Sequence, residues 1–289
     1  MNTSIHPKLI AEIGCNHRGD LETAFDMIRV AAQFCKADVV KFQKRNNREL
    51  LSPEEYDAPH PNPANAYGPT YGAHREALEF TVDQHRQLKE CCEEWGTIYS
   101  TSVWDVTSAR EIATIQPALV KVPSACNLNF KMLDVIAAQY GGEIHLSFGM
   151  TSHEEEEKVV SFFESKGRAK DLVIYSCTSG YPVAFEDICL FEITRLKKTF
   201  DHRVKSIGFS GHHLGIAADI AALALGSEWF ERHFTLDRTW KGTDHAASLE
   251  PDGLRKLVRD LRNVSKSLAY KSEEILPVEV VQRQKLKRL

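Results

Sequence analysis

Short apolar runs alternate with amphipathic stretches along the whole chain. The runs at 9–14, 39–43, 97–102, 119–124, 143–149, 172–178, 205–211 and 229–235 have the length and flanks of buried strands. Between them, apolar residues spaced by three and four predict helices near 21–36, 83–95, 106–115, 130–140, 153–165, 186–199 and 215–225, with a last one at 252–268. That last helix is the clearest, since Leu254, Leu257, Val258, Leu261, Val264 and Leu268 share one face. Eight strand–helix units in 289 residues predict an α/β chain folded as a (β/α)8 TIM barrel. A doubly wound sheet needs no eighth unit.

Two segments break the rhythm. Residues 44–81 form a long insertion after the second strand, rich in Pro, Asn, His and Tyr. An insertion at the carboxyl end of a barrel strand overhangs the mouth, so it reads as a lid or as surface decoration. The other is 269–289, which follows the eighth helix and ends in the basic "RQKLKRL". The expected organisation is one barrel domain over 1–268 and a linker-like tail, cap or interface arm over 269–289.

Composition narrows the partners. A net charge of −4 and a pI near 6.3 argue against a nucleic-acid footprint, which is ordinarily basic. No apolar run approaches bilayer-spanning length, and the N-terminal residues do not read as a secretory signal. Seven cysteines without CxxC spacing read as free thiols in a reducing, cytoplasmic compartment.

Candidate chemistry gathers at the carboxyl ends of the strand runs. Glu12 lies inside the first run, with Asn16 and His17 just beyond it; Lys41 and Gln43 share one face of the second, and Lys121 lies in the fourth. A lysine inside a barrel strand is costly unless an anion meets it. Two of them point to a phosphate- or carboxylate-bearing ligand, or to internal ion pairs with Glu12 or Glu231. His212 and His213 end the seventh run, and His233 shares a face with Glu231 in the eighth. Neighbouring strands can bring His212 and His233 onto one divalent ion. The polar loop "TLDRTWKGTDHAASLEP" that follows is longer than a connection needs, and sets Asp244 and His245 above the same corner.

The motifs "AEIGCNHRGD", "VVKFQK", "TYGAHREALEF", "KVPSACN", "SFGM", "CTSGYP", "IGFSGHH" and "ERHFTLDRTWKGTDHAASLEP" occur in the order and spacing of the sialic acid synthase family. The resemblance runs from about residue 10 to about residue 277 and is nearest the animal-type branch, which makes a 9-phosphate. It implies a metal-dependent transferase that joins phosphoenolpyruvate to a hexose aldehyde. The acceptor would be N-acetylmannosamine, mannose or a 6-phosphate, and the product a nonulosonic acid such as Neu5Ac or KDN. Alternatives are a 3-deoxy-ulosonate synthase for another aldose, or a catalytically weakened sugar-phosphate-binding or scaffold protein.

Carried over position by position, the resemblance implies that Lys41, Gln43, Lys121, Ser124 and Ser147 hold phosphoenolpyruvate. It makes His212 and His233 the ligands of Mn2+ or Mg2+ and Glu12 the acid/base carboxylate; with Lys41, Lys121 and His212, Glu12 forms the expected catalytic set. Tyr181 and Asp244 would reach the sugar, and a cytoplasmic homodimer is implied; the long polar loop is then expected to extend Trp240, Lys241, Asp244 and Ser248 over the metal corner, holding the sugar or its phosphate. Two departures stand out. Cys126 occupies a position usually acidic in the family, and the chain ends in a stretch resembling the linker to an antifreeze-like domain. Without that domain, relaxed selection at C2 of the aldose is expected.

Overall fold

The computed structural model describes residues 6–288. Eight parallel strands, β1 (Lys8–Gly14), β2 (Val39–Lys44), β3 (Ile98–Val103), β4 (Leu119–Val122), β5 (Glu143–Ser147), β6 (Leu172–Cys177), β7 (Ser206–Gly211) and β8 (Trp229–His233), close into a barrel in chain order. β8 pairs back onto β1, so the sheet has no edge. All eight fall on the expected runs. β4 stops short of residue 124 because Pro123 has no N–H to give the ladder.

The α-helices are α1 (Leu21–Arg29), α2 (Asn47–Leu50), α3 (Pro53–Asp57), α4 (Tyr71–Glu76), α5 (Val82–Glu94), α6 (Val106–Ala113), α7 (Phe130–Gln139), α8 (His153–Ser165), α9 (Phe191–Phe200), α10 (Ala217–Ala224), α11 (Pro251–Ser267) and α12 (Pro277–Leu286). Side-chain caps set several starts. Asp20 accepts from the Thr23 N–H, and Asp105 from that of Ser108; Thr81 and Ser152 close capping boxes with Gln84 and Glu155. The helix expected at 186–199 begins at Phe191, because 185–187 form a 3-10 turn and Cys189 takes a left-handed φ of 52°. In the tail, α12 has no buried residue.

Alternation along each strand sorts side chains into two cores. Outward residues such as Leu9, Ala11, Val40, Phe42, Val120 and Leu146 pack under the helices. Inward residues Ile10, Val39, Leu119, Val173, Tyr175 and Trp229 plug the amino-terminal half of the barrel. Gly208 makes room there, since a Cβ would lie 2.5 Å from the Tyr175 ring. The next inward layer is polar and charged, and it is the floor of the site.

Candidate active site

Strand register builds this layer. Glu12 lies opposite Lys41 on one side and His233 on the other, while Lys41 faces Ser100, and Ser210 faces Glu231. These side chains open into a cavity of about 810 Å3 at the carboxyl ends of the strands. This is the end at which barrel enzymes place their chemistry.

The two lysines are fully paired within the protein. Lys41 forms an ion pair with Glu12, donates to the Ser102 hydroxyl at 2.7 Å and approaches Glu231 at 3.6 Å. Lys121 lies 3.0 Å from both oxygens of Glu231 and 3.9 Å above the Tyr175 ring. Ser210 donates to Glu231, and Gln43 to Glu12, both at 3.0 Å. The internal pairing weighed from the sequence is therefore present. All four charged groups also line the cavity, within reach of a ligand.

The four groups do not share their charge evenly. Burial pushes the Glu12 carboxyl above its usual range, and Lys41 only partly offsets this. For Glu231 burial acts the same way, but Lys121 and Lys41 outweigh it and hold the group firmly ionised. Burial would lower Lys41, yet Glu12 and Glu231 raise it; on Lys121 burial wins and the pKa falls. Glu12 and Lys121 are thus both shifted toward their neutral forms, and Lys41 and Glu231 away from them.

Beside this floor is an imidazole corner. The His212 and His233 rings are 5.5 Å apart between centroids, with Tyr181 4.3 Å from His212. His212 Nδ1 lies 3.0 Å from the Thr178 carbonyl, which fixes the ring. Burial lowers His233 to about 4, with Asp244 opposing from 3.9 Å, so it is neutral and can ligate. Its buried Nδ1 has no hydrogen-bond partner among the described residues. Two cavity-facing imidazoles suit a divalent ion whose other positions are filled by water and substrate. No group of three or more His, Cys, Asp or Glu side chains among the described residues encloses a metal site. For His212 itself, burial is outweighed by Cys177, which raises its pKa.

Most of the expected residues meet at the cavity. Glu12, Lys41, Gln43, Lys121, Ser124, Ser147, Tyr181, His212, His233 and Asp244 all line it. Ser248 and Lys241 do not. Ser248 is buried behind the wall, receiving Asn16 Nδ2 at 3.0 Å and donating to the Asp244 carbonyl at 2.7 Å. The Lys241 ammonium lies 4.9 Å from the Tyr67 ring, and its carbonyl accepts from the Tyr67 hydroxyl. Trp240 stacks against Arg18 at 4.0 Å. These three hold the loop in place, so that Asp244 alone of the expected loop residues reaches inward. His213 turns away from its neighbour His212 and packs with Arg232 and Asp219 outside the barrel.

The sequence reading passed over Arg45, His60, His74, Arg75 and Trp104, which also line the cavity. All but Trp104 come from the 44–81 insertion, which is thus a wall of the site. The only advance signal was its crowding with arginine, histidine and aromatic residues. Cys177, at the end of β6, also faces the cavity, 3.8 Å from the Ser124 hydroxyl.

Comparison with known proteins finds relatives of this barrel. The NeuB family model matches residues 27–273. N-acetylneuraminate-9-phosphate synthase of Homo sapiens is 38% identical over 278 residues, covering 96% of this chain and 76% of that protein. The Drosophila melanogaster protein of the same name is 36% identical, covering 95% and 71%. The crystal structure of N-acetylneuraminic acid synthetase from Leptospira borgpetersenii, in complex with citrate, superposes with a TM-score of 0.81 at 31% identity, over 98% of this chain and 93% of that one. With motifs, barrel and relatives in agreement over nearly its whole length, the chain belongs to the NeuB family.

Proposed function

We propose that this protein is a phosphoenolpyruvate-dependent transferase that condenses phosphoenolpyruvate with an open-chain hexose aldehyde to give a nonulosonic acid and phosphate. The observation that carries it is the inward pair Lys41 and Lys121, ringed by the hydroxyls of Ser102, Ser124, Ser147 and Ser210 beside two imidazoles. Buried cations with hydroxyl donors form an anion cradle, and the activities for which the relatives are named support the substrate class.

In this reading C3 of the enol attacks the aldehyde carbon and forms the new carbon–carbon bond. Water then adds at C2, and loss of phosphate leaves a 2-keto acid. Lys41 and Lys121 hold the carboxylate and phosphate, and Ser124 and Ser147 orient them. Glu12 takes the proton from the attacking water, a task suited to a carboxyl whose pKa lies above the usual range. Tyr181 and Asp244 position the sugar. A Mn2+ or Mg2+ ion on His212 and His233 would polarise the aldehyde oxygen.

Seven free cysteines, all but Cys189 buried or partly buried, fit a cytoplasmic protein, and a homodimer is the proposed assembly. No helix among the described residues is long and apolar enough to cross a membrane. The test is phosphate release from phosphoenolpyruvate in the presence of Mn2+ with N-acetylmannosamine, mannose and their 6-phosphates. Release that depends on one of these aldoses is expected. Release with none of them, or only with shorter aldoses, overturns the reading.

A further inference from the structure

The cavity has a second cationic region, in the wall made by the insertion, that the chemistry above does not use. Arg45 and Arg75 both face the cavity there. The carboxylate behind them, Glu79, is taken by Arg45, whose Nε and backbone N–H bond its two oxygens at 2.5 and 3.0 Å. Arg75 has no ion pair among the described residues. It lies over aromatic faces instead, 5.6 Å from Tyr71 and 5.9 Å from Trp104. Two donors in this wall, Arg75 Nε and Trp104 Nε1, are buried without a hydrogen-bond partner among the described residues. Such donors are uncommon in folded proteins and call for a ligand.

Glu79 offsets part of the wall's charge and also acts on Arg75, and no second carboxylate pairs with either guanidinium among the described residues. Burial pushes the Cys126 thiol up to about 12, so it stays neutral. Glu12 and Glu231 are committed to the lysines, and Asp244 lies by His233. Burial and the Arg45 charge both lower the Arg75 pKa and outweigh the opposing Tyr71 and Glu79.

We propose that Arg75, Trp104 and Arg45 form a second anion subsite, under the insertion, that takes the terminal phosphate monoester of the acceptor sugar. A guanidinium fork with an indole N–H matches a phosphate's several acceptor oxygens. The inward lysines are left to phosphoenolpyruvate. This assignment rests on the synthase reading and adds to it the residues that hold the phosphate of a phosphorylated acceptor.

Calorimetry tests it with mannitol 6-phosphate, an open-chain probe lacking an aldehyde, against mannitol and phosphoenolpyruvate. Wild type should bind the phosphorylated probe at least tenfold more tightly than mannitol. Arg75→Met should abolish that preference and leave phosphoenolpyruvate affinity within twofold. Trp104→Phe, which keeps the ring and removes one donor, should weaken the phosphorylated probe about threefold; it carries the test should Arg75→Met fail to fold. A preference that survives in the folded variants overturns the subsite, as does its absence in wild type. Equal loss of phosphoenolpyruvate assigns the phosphate to that substrate and also overturns it. Were the Arg75-dependent preference found without aldose-dependent phosphate release, the subsite would stand and the synthase reading would fall.

Discussion

The strand-built floor and the insertion-built wall of this cavity handle charge in opposite ways. On the floor, two lysines meet two carboxylates at fixed register positions, and every charged group has a partner. On the wall, the one carboxylate is taken by Arg45, and Arg75 leans on aromatic rings. Burial explains the difference. Lys41 and Lys121 are 2% and 1% exposed, where an unpaired charge would be prohibitive, whereas the half-buried Arg75 can remain unpaired at lower cost. The floor is charge-balanced before any ligand arrives; the wall is built with charge to spare.

The strongest way to break this contrast is Glu231→Ala. Removing the carboxylate shared by both lysines leaves buried cations uncompensated, and a loss of about 3–5 kcal/mol in urea denaturation is expected. A loss under about 1 kcal/mol would mean that water reaches the floor freely.

Acid probes the same floor through His145, which is buried beside Lys121 on the neighbouring strand and bonded to the Tyr175 hydroxyl at 2.7 Å. Burial lowers its pKa from 6.5 to about 4, despite the opposing Glu143. The neutral ring therefore costs nothing above pH 6.5. As the pH falls toward 4 the unfolded chain binds the proton first, and about 3 kcal/mol of stability should be lost across that window. His145→Asn should flatten this limb of the stability profile; an unchanged slope would place the effect elsewhere.

Lys121→Met reads ligand binding at the floor. At least a tenfold weaker affinity for phosphoenolpyruvate is expected by calorimetry. Unchanged affinity with a lower melting temperature would make the lysine a purely internal counter-ion. The smallest effect belongs to the wall. Arg75→Met should alter unfolding free energy by no more than about 0.5 kcal/mol, because no ion pair is broken. A drop of several kcal/mol in chemical denaturation would show that the wall depends on that charge as the floor depends on Glu231.

The floor was legible in the sequence and the wall was not, for the same physical reason. Glu12, Lys41, Lys121 and His233 are polar residues inside apolar runs of period two, so each is visible as an exception and its facing follows from the register. Arg75 and Trp104 lie at the edge of such order, on a short helix and just past a strand, where no periodicity states which way a side chain turns. His212 and His213 show the limit at a strand end: adjacent residues face opposite sides, and only one enters the site. Ser248 and Lys241 were placed in the mouth because their loop is polar, but the loop spends much of that polarity on holding its own shape. The fold itself was plain, since eight apolar runs and their helices repeat with little interruption outside the insertion.

The seam between β8 and β1 has a consequence for how the molecule is made. Ile10 lies beside Glu231, so the first strand waits for the last before the ring can shut. A chain emerging from the ribosome amino end first exposes the hydrogen-bonding edge of β1 throughout, and such long-range closure is slow. Lys41 has Glu12 at hand early in synthesis, but Lys121 must wait for a carboxylate 110 residues downstream. The final strand delivers the counter-ion as well as the seam. A nascent chain stalled before Glu231 therefore carries Lys121 without its balancing partner, and has good reason not to bury it.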